Sequence, residues 1–338
     1  MFLQGGPDLR HTPARSSPEG GKVRCNMQIV WELLLLVAGF VLLMKGADWF
    51  VEGASGIADR FGVPQLVIGL TIVAMGTSLP EAAVSISAAL NESAGITIGN
   101  VLGSNILNVL VILGLTAVIC VIPVQKSTVK YEIPFTIGIT VLLAVIGLTD
   151  HTVGRLDGLL LWALMIAYLL YLLKMAKNGQ ALQGEQKEEK KRALWMLLLM
   201  VALGAVMIVF GSDLTVDSAT VLAQILGMDD RLIGLTIVAF GTSLPELVTS
   251  VTAALKGKTD IAVGNIVGSN IFNILFVVGT SALITPVEYS GNFMVDSFTA
   301  MGAMVLLMLC VLRKKKISRA GGAIMLVCYG AYFVYLIR

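Results

Sequence analysis

The stretch IGLTIVAMGTSLPE at residues 68–81 returns as IGLTIVAFGTSLPE at 233–246, with a single difference. The same shift of 165 residues lays GNVLGSNILN (99–108) over GNIVGSNIFN (264–273). The register holds without a gap from Gly46 on Gly211 to Gly114 on Gly279, so Asp48 falls on Asp213 and Glu52 on Asp217. Agreement over about 70 residues is an internal duplication, and it limits the fold more than any single segment can. Each structural role found in one half needs a counterpart in the other.

Both halves are apolar. Of 338 residues 56% are hydrophobic and 14% charged, with a mean hydropathy of +0.86, whereas about a quarter of a soluble domain is charged. The apolar residues come in runs of about 20, enough for a helix to cross a bilayer core of about 30 Å. The runs lie at 29–48, 64–90, 95–121, 131–149, 155–173, 193–212, 230–256, 260–285, 293–312 and 317–337. The predicted fold is an all-α polytopic membrane protein. Five spans per half is an odd number, so the second copy enters the membrane from the opposite side. The expectation is ten transmembrane helices arranged as two inverted five-helix repeats, 27–173 and 193–338. Secondary transporters use this plan because two equivalent halves of opposite orientation make the outward-open and inward-open states similar in energy.

Charge placement gives the orientation. Lys and Arg concentrate at 174–192 (KMAKNGQALQGEQKEEKKR), read as a solvated linker, and at 313–319 (RKKKISR). Lys126, Lys130, Lys256 and Lys258 fall on the same side, which the positive-inside bias makes the cytoplasm. Arg155 and Arg231 run against the bias, and the opposite loops are more acidic, with Asp213, Asp217, Asp229 and Asp230. The chain is therefore expected to cross the cytoplasmic membrane several times, with both termini outside. Residues 1–26 are polar, rich in Gly, Pro and Ser, and lack a signal-peptide core. They are expected to form a disordered extension ahead of Met27, itself a natural start. The expected partner is the lipid bilayer, not nucleic acid.

Cys25, Cys120, Cys310 and Cys328 show no ligand spacing and are read as buried, inert thiols. His11 and His151, the only histidines, lie outside the spans. That excludes a zinc site or a histidine-activated nucleophile within the membrane, and no cofactor is expected.

The GTSLPE motif carries the chemistry. Pro80 and Pro245 are expected inside helices, where proline frees the carbonyls of Gly76 and Gly241 and strains those of Thr77 and Thr242. Free carbonyls in a membrane persist only beside a polar cavity. Thr77 and Ser78 share a helical face with Glu81, as Thr242 and Ser243 do with Glu246. A single GTSLP without the acid reads as a kink with capping hydroxyls. Two copies, each with a glutamate near mid-span at a cost of about 2.5–3.5 kcal/mol, read as an ion site. All these ligands are hard oxygens, suited to Na+ and Ca2+ and not to transition metals.

In the second motif, Gly99/Gly103 and Gly264/Gly268 are pairs of small residues fit for close helix packing. Ser104 and Asn108, like Ser269 and Asn273, share one face, while Asn100, Asn105, Asn265 and Asn270 are read as interhelical hydrogen-bonders or helix-end residues ahead of the alternative, ion contact. Four helices packed this way would enclose one cage of two carboxylates, two amides and several hydroxyls. Asp48 and Asp213 are expected to end their helices, with Glu52 and Asp217 one turn on as capping or vestibule charge.

GTSLPE followed by GSNIxN, duplicated in inverted halves over residues 29–338, resembles the prokaryotic sodium/calcium exchangers of the cation/calcium exchanger superfamily. The resemblance implies four ion sites in a diamond at the membrane centre. Glu81 and Glu246 would ligate a central Ca2+, with Na+ at the outer positions. Thr77, Ser78, Thr242, Ser243, Ser104, Ser269, Asn108 and the carbonyls of Ala74 and Ala239 also match ligand positions. The first and sixth helices would slide across the other eight to alternate access. Family members commonly carry Asp where this chain has Asn273, so here both central amides, Asn108 and Asn273, are neutral. The Thr-Ser-Leu stretch argues for Na+ coupling, since the proton-coupled branch has Asn and Ala there.

The leading expectation is Na+/Ca2+ antiport, exporting Ca2+ with about three Na+ per Ca2+. Alternatives are H+/Ca2+ exchange, K+-dependent exchange and export of another divalent cation. A channel could also use membrane carboxylates, but the inverted repeat favours alternating access. An enzyme is disfavoured because Ser78 and Ser243 have no Lys or His partner in the membrane.

Overall fold

The computed structural model describes residues 18–91, 95–182, 192–227, 239–291 and 293–336. Among them the chain is almost wholly helical: α1 (Pro18–Phe61), α2 (Gln65–Thr77), α3 (Leu79–Leu90), α4 (Ile96–Ile119), α5 (Thr128–Asp150), α6 (Arg155–Leu182), α7 (Leu194–Ile225), α8 (Leu244–Leu255), α9 (Thr259–Ile284), α10 (Phe293–Leu312) and α11 (Arg319–Leu336). Eight of these are long and apolar enough to cross a membrane, and the bent pair α2–α3 makes a ninth. The expected span 230–256 is described only from Ala239 and contributes α8. The expected linker is entered by α6, which runs to Leu182, and 183–191 lie outside the described residues. Residues 18–26 of the expected extension belong to α1, and 1–17 lie outside the described residues.

Two expectations about helix ends are corrected. Asp48 and Asp213 do not end their helices, nor do Glu52 and Asp217 lie beyond them: α1 is 44 residues long and α7 is 32. After Asp48 the chain contains no proline before Pro64, and Phe50, Val51, Ala54, Ile57 and Ala58 continue a buried helical stripe. Each helix stops where a glycine takes the left-handed conformation, Gly62 at φ 64° and Gly227 at φ 81°. Those two glycines are also equivalent under the 165-residue shift.

α1 and α7 run antiparallel in contact through glycine. A Cβ on Gly46 would lie 2.9 Å from the Gly204 carbonyl oxygen, and one on Gly211 would lie 2.8 Å from that of Gly39. A side chain at any of these positions would push the backbones apart. The two copies of the first repeat helix are thus inverted with respect to each other. In their most apolar stretches α1 and α7 are 11% and 22% buried, against 78% and 94% for α4 and α9. The large apolar core includes no residue of α1 or α7; these join a second, smaller cluster with parts of α2, α8 and α9. The helix pair thus packs outside the large core built around the central α4 and α9, in a cluster that it shares with parts of α2, α8 and α9.

Four two-residue strands tie the halves together: Ile122–Pro123 pairs with Lys316–Ile317, and Thr152–Val153 with Val287–Glu288. The two pairs are repeat equivalents. The shift of 165 maps Ile122–Pro123 onto Val287–Glu288, and a shift of 164 maps Thr152–Val153 onto Lys316–Ile317. The repeat thus loses one residue between its third and fourth helices. Of the thiols, Cys120 and Cys310 are half-buried, and Cys328 is exposed on the outer α11 rather than buried as expected.

Candidate functional site

GTSLPE does not build a helix with a proline in its middle, as the sequence suggests. α2 stops at Thr77, Ser78 leaves helical geometry (φ −85°, ψ 12°), and α3 starts afresh at Leu79, bent by 51°. Ser243 does the same in the second copy (φ −93°, ψ 4°), ahead of α8. Pro80 and Pro245 therefore occupy the first turn, where the missing N–H has no helical partner to lose. Glu81 and Glu246 fall in the same first turns, where the positive end of the helix dipole favours a carboxylate. The break also brings the serine of each copy against the acid of the other. Ser78 Oγ donates to Glu246 Oε1 at 2.8 Å, and Ser243 Oγ donates to Glu81 Oε1 at 3.3 Å. Ser104 lies beside Glu81, and Ser269 beside Glu246.

The GSNIxN segments cross in the centre with the same symmetry. Asn105 and Asn270 each donate to the other's backbone carbonyl, at 3.2 and 3.3 Å. Asn108 donates to Asn270 Oδ1 at 3.0 Å and Asn273 to Asn105 Oδ1 at 3.1 Å. Asn100 bonds the carbonyl of Glu81 and Ser85 Oγ, while Asn265 bonds that of Glu246 and Ser250 Oγ. Asn100, Asn105, Asn265 and Asn270 hold helices together, as expected. Gly264 and Gly268 set α9 against α2, where a Cβ on Gly268 would lie 2.8 Å from Leu70 Cα. Asn108 and Asn273 each open a π-helical turn, Asn108–Leu113 and Asn273–Val278, a distortion frequent at functional sites.

Four acceptor oxygens are left over. Glu81 Oε2, Glu246 Oε2, Asn108 Oδ1 and Asn273 Oδ1 are buried without a hydrogen-bond partner, on residues no more than 1% exposed. Such oxygens are costly to bury. They come as two symmetry-equivalent pairs, and each amide has its N–H₂ turned to a protein acceptor. That leaves the oxygens as acceptors for a species that brings positive charge. Among the described residues no three of His, Cys, Asp and Glu cluster, so hydroxyls and amides must complete any cation shell.

Other expected members take different places. Thr77 is buried and donates to Asn265 Oδ1 at 2.9 Å, whereas Thr242 is half-exposed and lines a cleft of about 540 Å³ with Pro80, Ser212, Asp213 and Asp217. The carbonyl of Gly241 is not free: Ser212 Oγ donates to it at 2.9 Å. The Ala74 carbonyl accepts the Ser78 N–H at 3.0 Å and also the Ser269 hydroxyl at 3.4 Å, so it is already engaged. Ala239 stands at the edge of the described residues. Sequence reasoning missed the ties to Ser85 and Ser250, which the shift of 165 also equates, and the role of Ser212.

Crossed helix breaks in a polytopic helical bundle, with two buried carboxylates and two unmet amide oxygens, point to a membrane transporter of cations. Comparison with known proteins identifies the kind. The chain matches the family described as sodium/calcium exchanger protein over residues 31–174 and 196–338, and it belongs to that family. It is 33% identical over 346 residues to the sodium/calcium exchanger MaX1 of Methanosarcina acetivorans, covering 91% of this chain and 99% of that one. The inner membrane protein YrbG of Escherichia coli is 37% identical over 314 residues, 89% of this chain and 94% of its own. The fold matches a structure of the sodium-calcium exchanger NCX_Mj soaked with Na+ and Sr2+, with a TM-score of 0.79 and 34% identity over 90% of this chain and 99% of the other. This chain is thus a multi-pass membrane protein of the sodium/calcium exchanger family.

Proposed function

We propose that the protein exports Ca2+ across the cytoplasmic membrane in exchange for about three Na+, by alternating access. The observation that carries the site assignment is the set of four unmet, symmetry-paired oxygens on Glu81, Glu246, Asn108 and Asn273. In this reading the two carboxylates hold the divalent ion, and Ser78, Ser243, Ser104, Ser269, Thr77 and Thr242 supply oxygens to the Na+ ions. The carbonyls of Ala74 and Ala239 also contribute, the Ala74 oxygen exchanging the Ser269 hydroxyl for the ion. With both amides neutral the cage carries two negative charges. One Ca2+ balances them and three Na+ leave one positive charge, so each cycle moves one charge. That charge is worth about 2.3 kcal/mol per 100 mV, which in an inside-negative cell drives Na+ in and Ca2+ out.

The glycine-packed α1–α7 pair is the moving part, supported by its exclusion from the large apolar core. By the positive-inside bias, the face with Lys256 and Arg192 is cytoplasmic and both termini are outside. The cleft at Asp213 and Asp217 then opens outward. The test is Ca2+ flux into proteoliposomes driven by a Na+ gradient, with the potential clamped by K+ and valinomycin. Flux should collapse with the Na+ gradient and respond to potential. Flux that survives without the gradient indicates a channel, and flux driven by a pH gradient alone indicates proton coupling; either result overturns the proposal.

A further inference from the structure

Another buried carboxylate lies outside the ion cage. Glu132, in the π-helical turn Thr128–Glu132 that opens α5, is 1% exposed. Tyr171 of α6 donates its hydroxyl to Glu132 Oε1. Glu132 Oε2 has no hydrogen-bond partner, and neither has the hydroxyl of Tyr168, which is 6% exposed. Both residues line a cavity of about 330 Å³ between α5 and α6, together with Tyr131, Phe135, Tyr171 and the exposed Lys130. Phe135 stacks on Tyr168 with ring centroids 5.4 Å apart, Tyr168 stacks on Tyr171 at 6.3 Å, and Tyr131 tilts against Tyr171 at 6.2 Å.

This lining selects a ligand. The lining holds four aromatic rings, which favour a cation; the unmet Glu132 oxygen calls for an N–H donor, and the Tyr168 hydroxyl can accept another. A quaternary ammonium suits the rings but has no N–H, so Glu132 Oε2 would stay unmet. A metal ion would find only one carboxylate. A primary ammonium meets both demands.

Position indicates where the ammonium comes from. Glu132 is the fifth residue of the span Thr128–Asp150, about 6 Å inside its start at 1.5 Å per residue. Tyr131 is 49% exposed, as an interfacial ring should be, and Lys130 Nζ sits 5.1 Å over its centre. Lys174 and Lys177 follow Tyr171 by about one and two turns on α6. A cation pocket with lysines beside it, at headgroup depth, matches a molecule with an ammonium close to a phosphate. We propose that this cavity binds the primary ammonium of an aminophospholipid such as phosphatidylethanolamine, with Lys130 meeting the phosphate.

The other repeat does not rebuild it. There the register of 164 lays Glu132 on Asp296 and Tyr168 on Tyr332, and the Tyr332 hydroxyl is spent on Asp296 Oδ1 at 2.7 Å. Lys130, Tyr131 and Phe135 fall on Met294, Val295 and Thr299, so the lysine and two of the four rings are missing. The site exists once and serves one leaflet.

The full-length protein, stripped of lipid in detergent, is offered equal amounts of phosphatidylethanolamine and phosphatidylcholine with the same acyl chains. Bound lipid is counted by native mass spectrometry. Wild type should retain the ethanolamine lipid by about tenfold over the choline lipid, the value of one charge-assisted hydrogen bond. Glu132→Gln keeps an acceptor for Tyr171 and should lose the preference. Tyr168→Phe removes a hydroxyl that has no partner and should weaken it; this variant decides the matter if Glu132→Gln does not fold. Equal retention of the two lipids by wild type, or an unchanged preference in the folded variants, overturns the proposal. So does displacement of the lipid by excess free ethanolammonium, which would assign the cavity to a soluble amine.

Discussion

The two faces of the molecule are built from equivalent residues and end up different. On one, Asp48 Oδ1 pairs with Lys256 Nζ at 3.0 Å and Glu52 Oε2 pairs with Arg192 Nη1 at 3.3 Å. Phe50 is fully buried there and lies against Gly76 of the first motif. On the other, Asp213 and Asp217 form no ion pair among the described residues and line the cleft that reaches Pro80, Gly241 and Thr242. The sequence equivalents explain the difference: Lys256 falls on Asn91, Arg192 on Met27, and Phe50 on Thr215. Inversion makes the two backbones alike, and three departures from the repeat close one face. In the proposed alternating-access cycle, symmetry would provide two states of similar energy, and a few unmatched side chains would set the balance between them.

The largest expected effect tests what the halves share. Glu81→Gln and Glu246→Gln should each abolish exchange with the protein still inserted and folded. One carboxylate in a low-dielectric cage cannot offset the desolvation of a divalent ion. Near-normal flux in either variant would break the symmetry of the site.

A smaller but still large effect should follow from giving Phe50 the identity of its equivalent. Phe50→Thr removes most of a buried ring, at a cost to the closed face of about 2–4 kcal/mol. On a background without native cysteines, Thr242→Cys should react with a thiol reagent and Thr77→Cys should not. Adding Phe50→Thr should make Thr77→Cys reactive. If Thr77→Cys stays silent, Phe50 does not hold that face shut.

The smallest effect concerns the ion pairs. Lys256→Asn and Arg192→Met, copying their equivalents, remove partly exposed pairs worth about 0–1 kcal/mol each. They should raise Thr77→Cys reactivity by no more than about fivefold each, and less at high salt. A change of several hundredfold would make these pairs, rather than Phe50, the lock.

Much of the site is legible in the amino-acid sequence. The duplication locates both glutamates, their serines, the central asparagines and the glycine contacts of α9, because each is a local identity repeated in register. The asparagine ties can be read because amides at adjacent helix crossings have few other partners in a membrane. The helix ends expected at Asp48 and Asp213 are wrong because a charge halts an apolar run without halting a helix; only Gly62 and Gly227 do that. Proline is expected in mid-helix because a hydropathy run shows no break, yet Ser78 and Ser243 interrupt the backbone two residues earlier. Phe50 escapes a sequence reading because its importance lies in its equivalent being Thr215. A difference inside a repeat is invisible to a search for likeness.

Whether Glu81 and Glu246 jointly hold the divalent ion can be seen with Sr2+ as an anomalous scatterer. In crystals soaked with Sr2+ one strong peak is expected within about 2.8 Å of both Glu81 Oε2 and Glu246 Oε2, roughly 0.2 Å beyond the usual Ca2+ distances, and absent in Glu246→Gln. A peak away from both carboxylates, or one that persists in the variant, would contradict the shared site.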